Sequence, residues 1–434
     1  MHKFISVFLI VLGSSQLLFS QQIIELASMP EKVSNNAVCQ AKVGSETFVY
    51  SFAGIDETKA YSGIHKRAFR YSTNTDTWES IADLPSGNGR IAAGASVVKN
   101  KIYIIGGYEV FEDGFEISYD NVHVYDPETN EYLADGAAIP VPIDDHVQAV
   151  WRDSLIYVVT GWSDEDNVPD VQIYDPSVNQ WSIGTSTPDN STYKAFGASG
   201  VIIGDTIYYC GGVRNVNGNF ASANAIRIGV INPALPTEIS WESNISSFSI
   251  GYRMAAAHFN DSKPIWIGGG AAGYNFDGLA YSSGLGVDLL PRILEYTPER
   301  DKFTVNNLPE LQVMDLRGSA QLSLSSIIIC GGMMQEQEVS DKTFRIDISL
   351  VSNEEVQVER KFAVSPNPSK GNLSVVGLSD GTLEIFASDG MLLQSHVMIE
   401  SIVLNISDLE QGVFYLVHRD DLGNVFTEKI SIVK

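Results

Sequence analysis

Three arginines recur near one register of a repeated pattern. Short apolar runs ending in glycine close at Gly54, Gly107, Gly161, Gly212, Gly270 and Gly332. Counting back 17 residues from the final glycine gives Arg90, Asp144 and Arg253 in three of the units. The last unit gives Asp315 with Arg317 two residues on, the third has His146 two residues past Asp144, and the fourth gives Ala195 beside Tyr193-Lys194. The first unit offers only Asn36-Ala37. A guanidinium presents a rigid fork of N–H donors that matches carboxylates, phosphates and sulfates. Tyr193 and His146 would add hydrogen bonds and a flat surface for a sugar ring. Arg90, His146, Tyr193, Arg253 and Arg317 are therefore the candidate ligand-binding residues, suited to an acidic ligand. The competing reading is structural: the same arginines pair with Asp144, Asp145 and Asp315 and knit neighbouring units together.

The runs that must position these residues are FVYSFAG, IYIIGG, IYVVTG, IYYCGG, IWIGGG and IIICGG, spaced 51 to 62 residues apart. Most units carry a second signal downstream, such as AFRYSTNTDTW, VHVYDPETNEY and VQIYDPSVNQW, with weaker forms in IRIGVINP and ILEYTPERDKF. Several close with Leu84-Pro85, Ile139-Pro140 or Leu308-Pro309. Each unit reads as four strands, and four strands at this period predict a propeller blade. The Gly-Gly doublet, the Tyr-Asp-Pro turn and the Trp resemble the Kelch repeat over about Ile23 to Leu350. The resemblance implies an all-β fold, a six-bladed Kelch-type β-propeller over residues 21–350. The sixth unit lacks the Tyr-Asp-Pro and Trp signals. The segment IIELASMP, from Ile23 to Pro30, aligns with WESIADLP, from Trp78 to Pro85, and reads as the outer strand of blade six supplied from the other end. The alternative donor is Glu354 to Glu359. The segments after the Gly-Gly strands are long, above all Ala271 to Pro291, and place one loop-rich face over the inner-strand starts.

The 434 residues hold 28 Lys plus Arg against 53 Asp plus Glu, a formal charge of −25. That balance excludes a nucleic-acid binder, which needs a basic footprint to displace counterions. Residues 21–360 carry 22 basic and 44 acidic side chains, a net of −22, so the recurring arginines stand out. The three cysteines are too few for a disulfide scaffold, and Cys39, Cys210 and Cys330 read as small buried apolar residues. Asp164-Glu165-Asp166-Asn167 and Glu112-Asp113 lack the spacing of a calcium loop and read as solvated. No metal or cofactor is expected.

The two ends read as addresses. Residues 1–20, MHKFISVFLIVLGSSQLLFS, have one Lys, a short interrupted apolar run and Ser20 at a plausible cleavage point, which fits a signal peptide. No stretch reaches the roughly 20 apolar residues of a membrane-spanning helix. After a linker at 351–360, residues 361–434 change to short alternating strands broken by Pro366-Asn367-Pro368, Asp389-Gly390 and Gln411-Gly412, a small C-terminal β-sandwich. Pro366-Asn367-Pro368, Leu383 to Phe386 leading into Asp389-Gly390, Leu409, Gly412, Phe414-Tyr415 and Lys429-Ile430 resemble the type A sorting domain of the type IX secretion system of Bacteroidota. The resemblance implies contact with that machinery, removal of both ends and a secreted or cell-surface product.

Kelch-type propellers also carry enzymes. Galactose-oxidase-like copper needs two His, two Tyr and a Cys joined to a Tyr, and His65, His123, His146 and His258 do not supply that set. Asp144 to Gly161 with its His146, and the Gly211-Gly212 loop with Arg214, resemble the bacterial N-acetylneuraminate epimerase group. That group has a carboxylate near the arginine of this loop; Gly211-Gly212-Val213-Arg214-Asn215 offers none. A polysaccharide lyase would use Tyr193 or His146 as base and Arg214 against a uronate. The expected function is a binding module for glycan or protein; the alternative is a carbohydrate-active enzyme, an epimerase or lyase. Convergence of His146, Tyr193 and Arg214 within about 5 Å around one pocket would favour the enzyme.

Overall fold

The structure, a computed structural model, describes residues 19–350, 362–376, 381–387, 391–398, 401–420 and 425–433. They divide between two compact units, Phe19–Ser349 and a second that takes in Leu350–Lys434. Among the described residues no helix is long and apolar enough to cross a membrane.

The first unit contains six antiparallel sheets in chain order, each built on four strands. Their inner strands are Ala37–Val43, Gly94–Val98, Val147–Trp151, Phe196–Ile203, Ala255–Phe259 and Ala320–Ser323. Neighbouring inner strands touch in sequence, and the last returns to the first. Because both faces of each sheet are covered, the second strands are continuous apolar runs rather than alternating ones. Six apolar clusters result, one for each blade interface. Cys39, Cys210 and Cys330 are free and buried within them.

The second signal of the repeat is a local device. Tyr71, Tyr125, Tyr174 and Tyr296 of the third strands stand directly opposite Trp78, Tyr132, Trp181 and Phe303 of the fourth. Their ring centroids lie 5.0–5.3 Å apart. Each Tyr hydroxyl also donates to the residue five places on, Asp76, Asn130, Asn179 or Asp301. Those four residues all have positive φ, which Asn and Asp tolerate better than other side chains. The Trp indoles tie successive blades: Trp181 Nε1 donates to Ala137 O at 2.7 Å and Trp241 Nε1 to Thr185 O at 3.0 Å.

Blade six runs Ala320–Ser323, Ser326–Cys330, Thr343–Leu350 and then Phe19–Leu26 as its outer strand. The N-terminal segment therefore closes the ring as the repeat alignment expects, and Glu354 to Glu359 lie outside the described residues. Ala27 follows that strand as Ala137 follows the outer strand of blade two. Its N–H donates to Asp76 Oδ1 at 2.8 Å, and its carbonyl accepts from Trp78 Nε1 at 3.1 Å. Ala137 makes the matching pair with Asn179 and Trp181. Ser20, the expected cleavage point, falls inside the strand Phe19–Leu26.

The second unit is a sandwich of a three-stranded and a four-stranded sheet. Leu373, Val375 and Leu404 of the first sheet meet Leu383, Ile385, Phe414, Leu416 and Ile430 of the second in one core. Asn367 pins the Pro366-Asn367-Pro368 segment to the last strand: its Nδ2 donates to Lys429 O and its Oδ1 accepts from Ser431 N, both at 2.9 Å. Asp389-Gly390 lies outside the described residues.

Candidate functional site: a plugged central channel

At or just before the start of each inner strand one residue adopts the left-handed conformation: Asn35, Ala92, Asp145, Gly197, Arg253 and Asp315, with φ from 48° to 63°. These positions bond to one another from blade to blade. Asp145 N–H donates to Ala92 O (3.0 Å), Gly197 to Asp145 (2.8 Å), Arg253 to Gly197 (2.9 Å) and Asn35 to Asp315 (3.2 Å). Leu316 N–H donates to Arg253 O at 2.9 Å, and Ala92 N–H closes the set on Asn35 Oδ1 at 2.9 Å. The turn aims side chains at the axis, and four of the six are polar.

Arg253 fills the axis. Its Nε donates to Asp145 Oδ1 at 3.0 Å and its Nη2 to Asp145 Oδ2 at 2.6 Å, while Nη1 holds Asp315 Oδ1 at 2.9 Å. Asp315 Oδ2 accepts from Ser34 Oγ at 2.6 Å. The Arg253 side chain is 0% exposed, and the rings of Tyr252 and Tyr274 lie 5.0 and 5.6 Å from it. Burial alone would pull the guanidinium down, but Asp145, Tyr252 and Asp315 hold it well above its ordinary value. Burial would likewise raise Asp145, yet Arg253 and Arg317 hold its carboxyl below the usual range. This cluster joins blades three, five and six and plugs the channel.

On the strand side of the plug lies a cavity of about 290 Å³. Each blade contributes a polar residue to its wall: Gln40, Ser96, Gln148, Ser199, His258 and Gln321. Arg317 and His146 line its plugged end. Arg317 Nη2 donates to His146 O at 2.8 Å, Nη1 stands 3.6 Å from Asp145 Oδ1, and Nε is buried without a partner. His146 Nε2 lies 2.9 Å from Gln148 Oε1, and its Nδ1 is also unpartnered. Burial, and then the Arg317 charge, lower the imidazole to about 4, so His146 is neutral at pH 7.

On the loop side is a smaller pocket of about 80 Å³. Tyr108, Trp162, Phe196, Phe220 and Tyr281 wall it, together with Glu116, Asp144 and Asp145. The hairpin of Tyr108–Val110 and Glu116–Ser118 brings in Glu116 and lets Ser118 Oγ donate to Asp144 Oδ2 at 2.7 Å. Burial first, and Asp145 next, push the Asp144 carboxyl well above its ordinary value. Burial lifts Glu116 to about 6.

The six-sheet ring, the Tyr–aromatic pairs and the glycine-ended second strands decide the fold. The chain folds as a Kelch-type β-propeller. Residues 20–223 match the KLHDC2/KLHL20/DRC7 Kelch-repeats domain. Kelch-like protein 25 of Xenopus tropicalis is 27% identical over 216 residues, 48% of this chain and 33% of that protein. The N-acetylneuraminate epimerase of Escherichia coli O139:H28 (strain E24377A / ETEC) is 23% identical over 243 residues, 48% of this chain and 59% of the enzyme. A solved structure titled "Structure of YjhT" superposes with a TM-score of 0.58 at 17% identity, covering 75% of this chain and 99% of that one. The Kelch-type chain thus spans a third of the length of its first curated relative.

This propeller separates the five candidate residues. Arg317 and His146 meet at the plugged end of the channel, on its strand side rather than the loop-bearing face. Arg253 is buried in the plug, with each of its three nitrogens bonded to Asp145 or Asp315. Arg90 is also fully buried and serves blade two: Nη1 donates to Gly106 O (3.0 Å), Nη2 lies 3.3 Å from Asn121 Oδ1 and 3.1 Å from His123 Nε2, and the guanidinium covers Tyr119 at 4.3 Å. The anion-binding funnel expected from three arginines therefore reduces to Arg317. Tyr193 is half-buried in the connection to blade four, where its carbonyl accepts from Tyr209 Oη at 3.0 Å. Neither Tyr193 nor Arg214 lines the cavity that holds His146, so the three do not share it.

Sequence reasoning missed Arg227, which clamps the first glycine of blade four's doublet as Arg90 does in blade two, with Nη1 2.8 Å from Gly211 O. It also missed Glu116, Trp162 and Phe220. Trp162 directly follows Gly161 and was findable by register; Glu116 and Phe220 sit in the hairpins beyond the glycine doublets of blades two and four, outside the repeat signals.

Proposed function

We propose that the chain is an exported binding propeller that takes a glycan bearing an acidic group into its central channel, with that group against Arg317. The observation that carries this reading is the pair of unpartnered nitrogens, Arg317 Nε and His146 Nδ1, at the plugged end of a cavity near the lower size limit of small-molecule sites. A free N–H of a guanidinium forms charge-assisted bonds to a carboxylate or sulfate. Gln148 Nε2 donates to Tyr103 O at 3.3 Å, which leaves its Oε1 to accept from His146 Nε2. Nδ1 of the neutral imidazole is then an acceptor, suited to a ligand hydroxyl. Arg317, His146 and the polar wall together favour a ligand with one acidic group and several hydroxyls.

Binding is favoured over catalysis because the residues suited to act as base and electrophile are dispersed. His146 lies in the channel with a pKa of about 4, while Tyr193 and Arg214 belong to the blade-four periphery around Arg227. The epimerase resemblance supplies a probe rather than an activity: N-acetylneuraminate carries one carboxylate and several hydroxyls. A glycan array probed with the full chain should retain acidic glycans over their neutral counterparts. Equal retention of both, or retention of neither, would count against the channel reading, and the latter would favour a protein ligand on the loop-bearing face.

The same proposal includes delivery outside the cell, through a leader at residues 1–20 and the type IX machinery acting on residues 361–434. The supporting features are the sorting-domain motif and a separate sandwich with its own apolar core. Deleting 361–434 in the native host should leave the propeller in the periplasm; normal surface delivery would defeat this part.

A further inference from the structure

We propose that the loop-side pocket is a second binding site, for a small organic cation of the alkylammonium class, held between the aromatic walls and the Glu116 and Asp144 carboxyls. The site is independent of the channel, because the Arg253–Asp145–Asp315 plug stands between them.

The walls are the first argument. Trp162, Phe196, Phe220 and Tyr281 come from three blades; four of their pairs pack edge to face at 5.3–6.0 Å and Phe220–Tyr281 is tilted at 4.8 Å. Aromatic faces attract a cation electrostatically and suit a weakly hydrated alkylammonium better than a metal ion, which requires oxygen ligands. Among the described residues no group of three or more His, Cys, Asp or Glu is placed to hold a metal.

The charges are the second argument. Four carboxyl groups, Asp144, Asp145, Asp315 and Glu116, surround or underlie the pocket, against two guanidiniums, Arg253 and Arg317. Asp145 and Asp315 are matched by those arginines. Asp144 is met by the Ser118 hydroxyl, and among the described residues no Lys or Arg pairs with it or with Glu116. Two carboxyls thus face an aromatic cavity without an ion-pair partner, and burial raises both above their ordinary values. A cation in the pocket would supply the missing charge. The volume of about 80 Å³ admits a small head group and excludes a sugar ring.

Choline and its uncharged isostere 3,3-dimethyl-1-butanol share a shape and differ in charge. Titrating the full chain with each, followed by Trp fluorescence and calorimetry, should show saturable choline binding and at least tenfold weaker binding of the isostere. Glu116→Gln should weaken choline about tenfold while leaving N-acetylneuraminate binding unchanged. Phe220→Ala should also weaken choline with little change in melting temperature, since Phe220 is only half-buried. Equal affinity for the two compounds, no choline binding, or an unchanged affinity in Glu116→Gln would overturn the proposal.

Discussion

Arg253 and Asp145 form a two-point fork across the propeller axis, Nε to Oδ1 at 3.0 Å and Nη2 to Oδ2 at 2.6 Å, with both side chains almost fully buried. The fork joins blade three to blade five, and the third guanidinium nitrogen adds blade six through Asp315. Breaking a buried pair from one side leaves the other charge uncompensated, which costs about 3–5 kcal/mol. Arg253→Met should therefore lower the melting temperature markedly. Adding Asp145→Asn and Asp315→Asn to it should recover part of the loss. A thermal-unfolding series in which the single change is silent would show that the fork contributes nothing to ring closure.

Asp144 lies beside that fork with the opposite tendency. Its folded pKa is raised, so the folded state binds the proton more tightly than the unfolded chain does. Stability from this group is full below the unfolded value of about 3.9 and declines as pH rises above it. Asp144→Asn keeps an acceptor for Ser118 and removes the titration. It should raise the melting temperature at pH 7 and leave it nearly unchanged at pH 4. A stabilisation of equal size at both pH values would contradict this assignment.

Gly197 marks the one ring position where a side chain has no room. Its φ is 63°, and a Cβ there would stand 2.1 Å from the Tyr252 ring. Gly197→Ala should unfold at a clearly lower temperature, because it combines left-handed strain of about 1–2 kcal/mol with a clash in the plug. Gly204→Ala has a similar φ of 58° and open space around its Cβ, so it isolates the strain. Equal losses in the two variants would remove the clash from the account.

The outer strand Phe19–Leu26 predicts the behaviour of the ring's seam. Removing residues 21–29 strips the edge of Thr343–Leu350 and leaves the Trp78 indole without the Ala27 carbonyl. Denaturant unfolding should then shift to lower midpoint, and a synthetic peptide of residues 21–30 should restore it in part. An unchanged midpoint would mean that the closure is not a stabilising contact.

The repeat made the fold legible because its signals are local. Tyr125 and Tyr132, or Tyr174 and Trp181, are close in sequence and pair across one turn, and the turn residues Asn130 and Asn179 have the types that left-handed backbone favours. The N-terminal strand was readable because Ile23 to Pro30 repeats the pattern of Trp78 to Pro85. The site was only half legible. Register placed Arg253, Asp144, Asp315, Arg317 and His146 near one axis, but register cannot tell which guanidinium meets a carboxylate of another blade and which faces a cavity. That is decided by contacts such as Arg253–Asp145 over a separation of 108 residues. In blade two the ring position equivalent to Arg253 is Ala92, and Arg90, two residues earlier, bonds to Gly106 and His123 of its own blade.

The most direct test of the channel reading is a calorimetric titration of the full chain with N-acetylneuraminate, compared between the native protein and Arg317→Met. Arg317→Met keeps an unbranched apolar stem without the guanidinium and leaves the Arg253–Asp145 fork in place, so thermal unfolding can confirm that the ring is intact. The expected result is saturable binding by the native protein and a loss of about tenfold or more in Arg317→Met, since a charge-assisted bond contributes roughly 1.5–3 kcal/mol. No binding by the native protein, or equal binding by a folded Arg317→Met, would contradict the assignment of the channel as the ligand site.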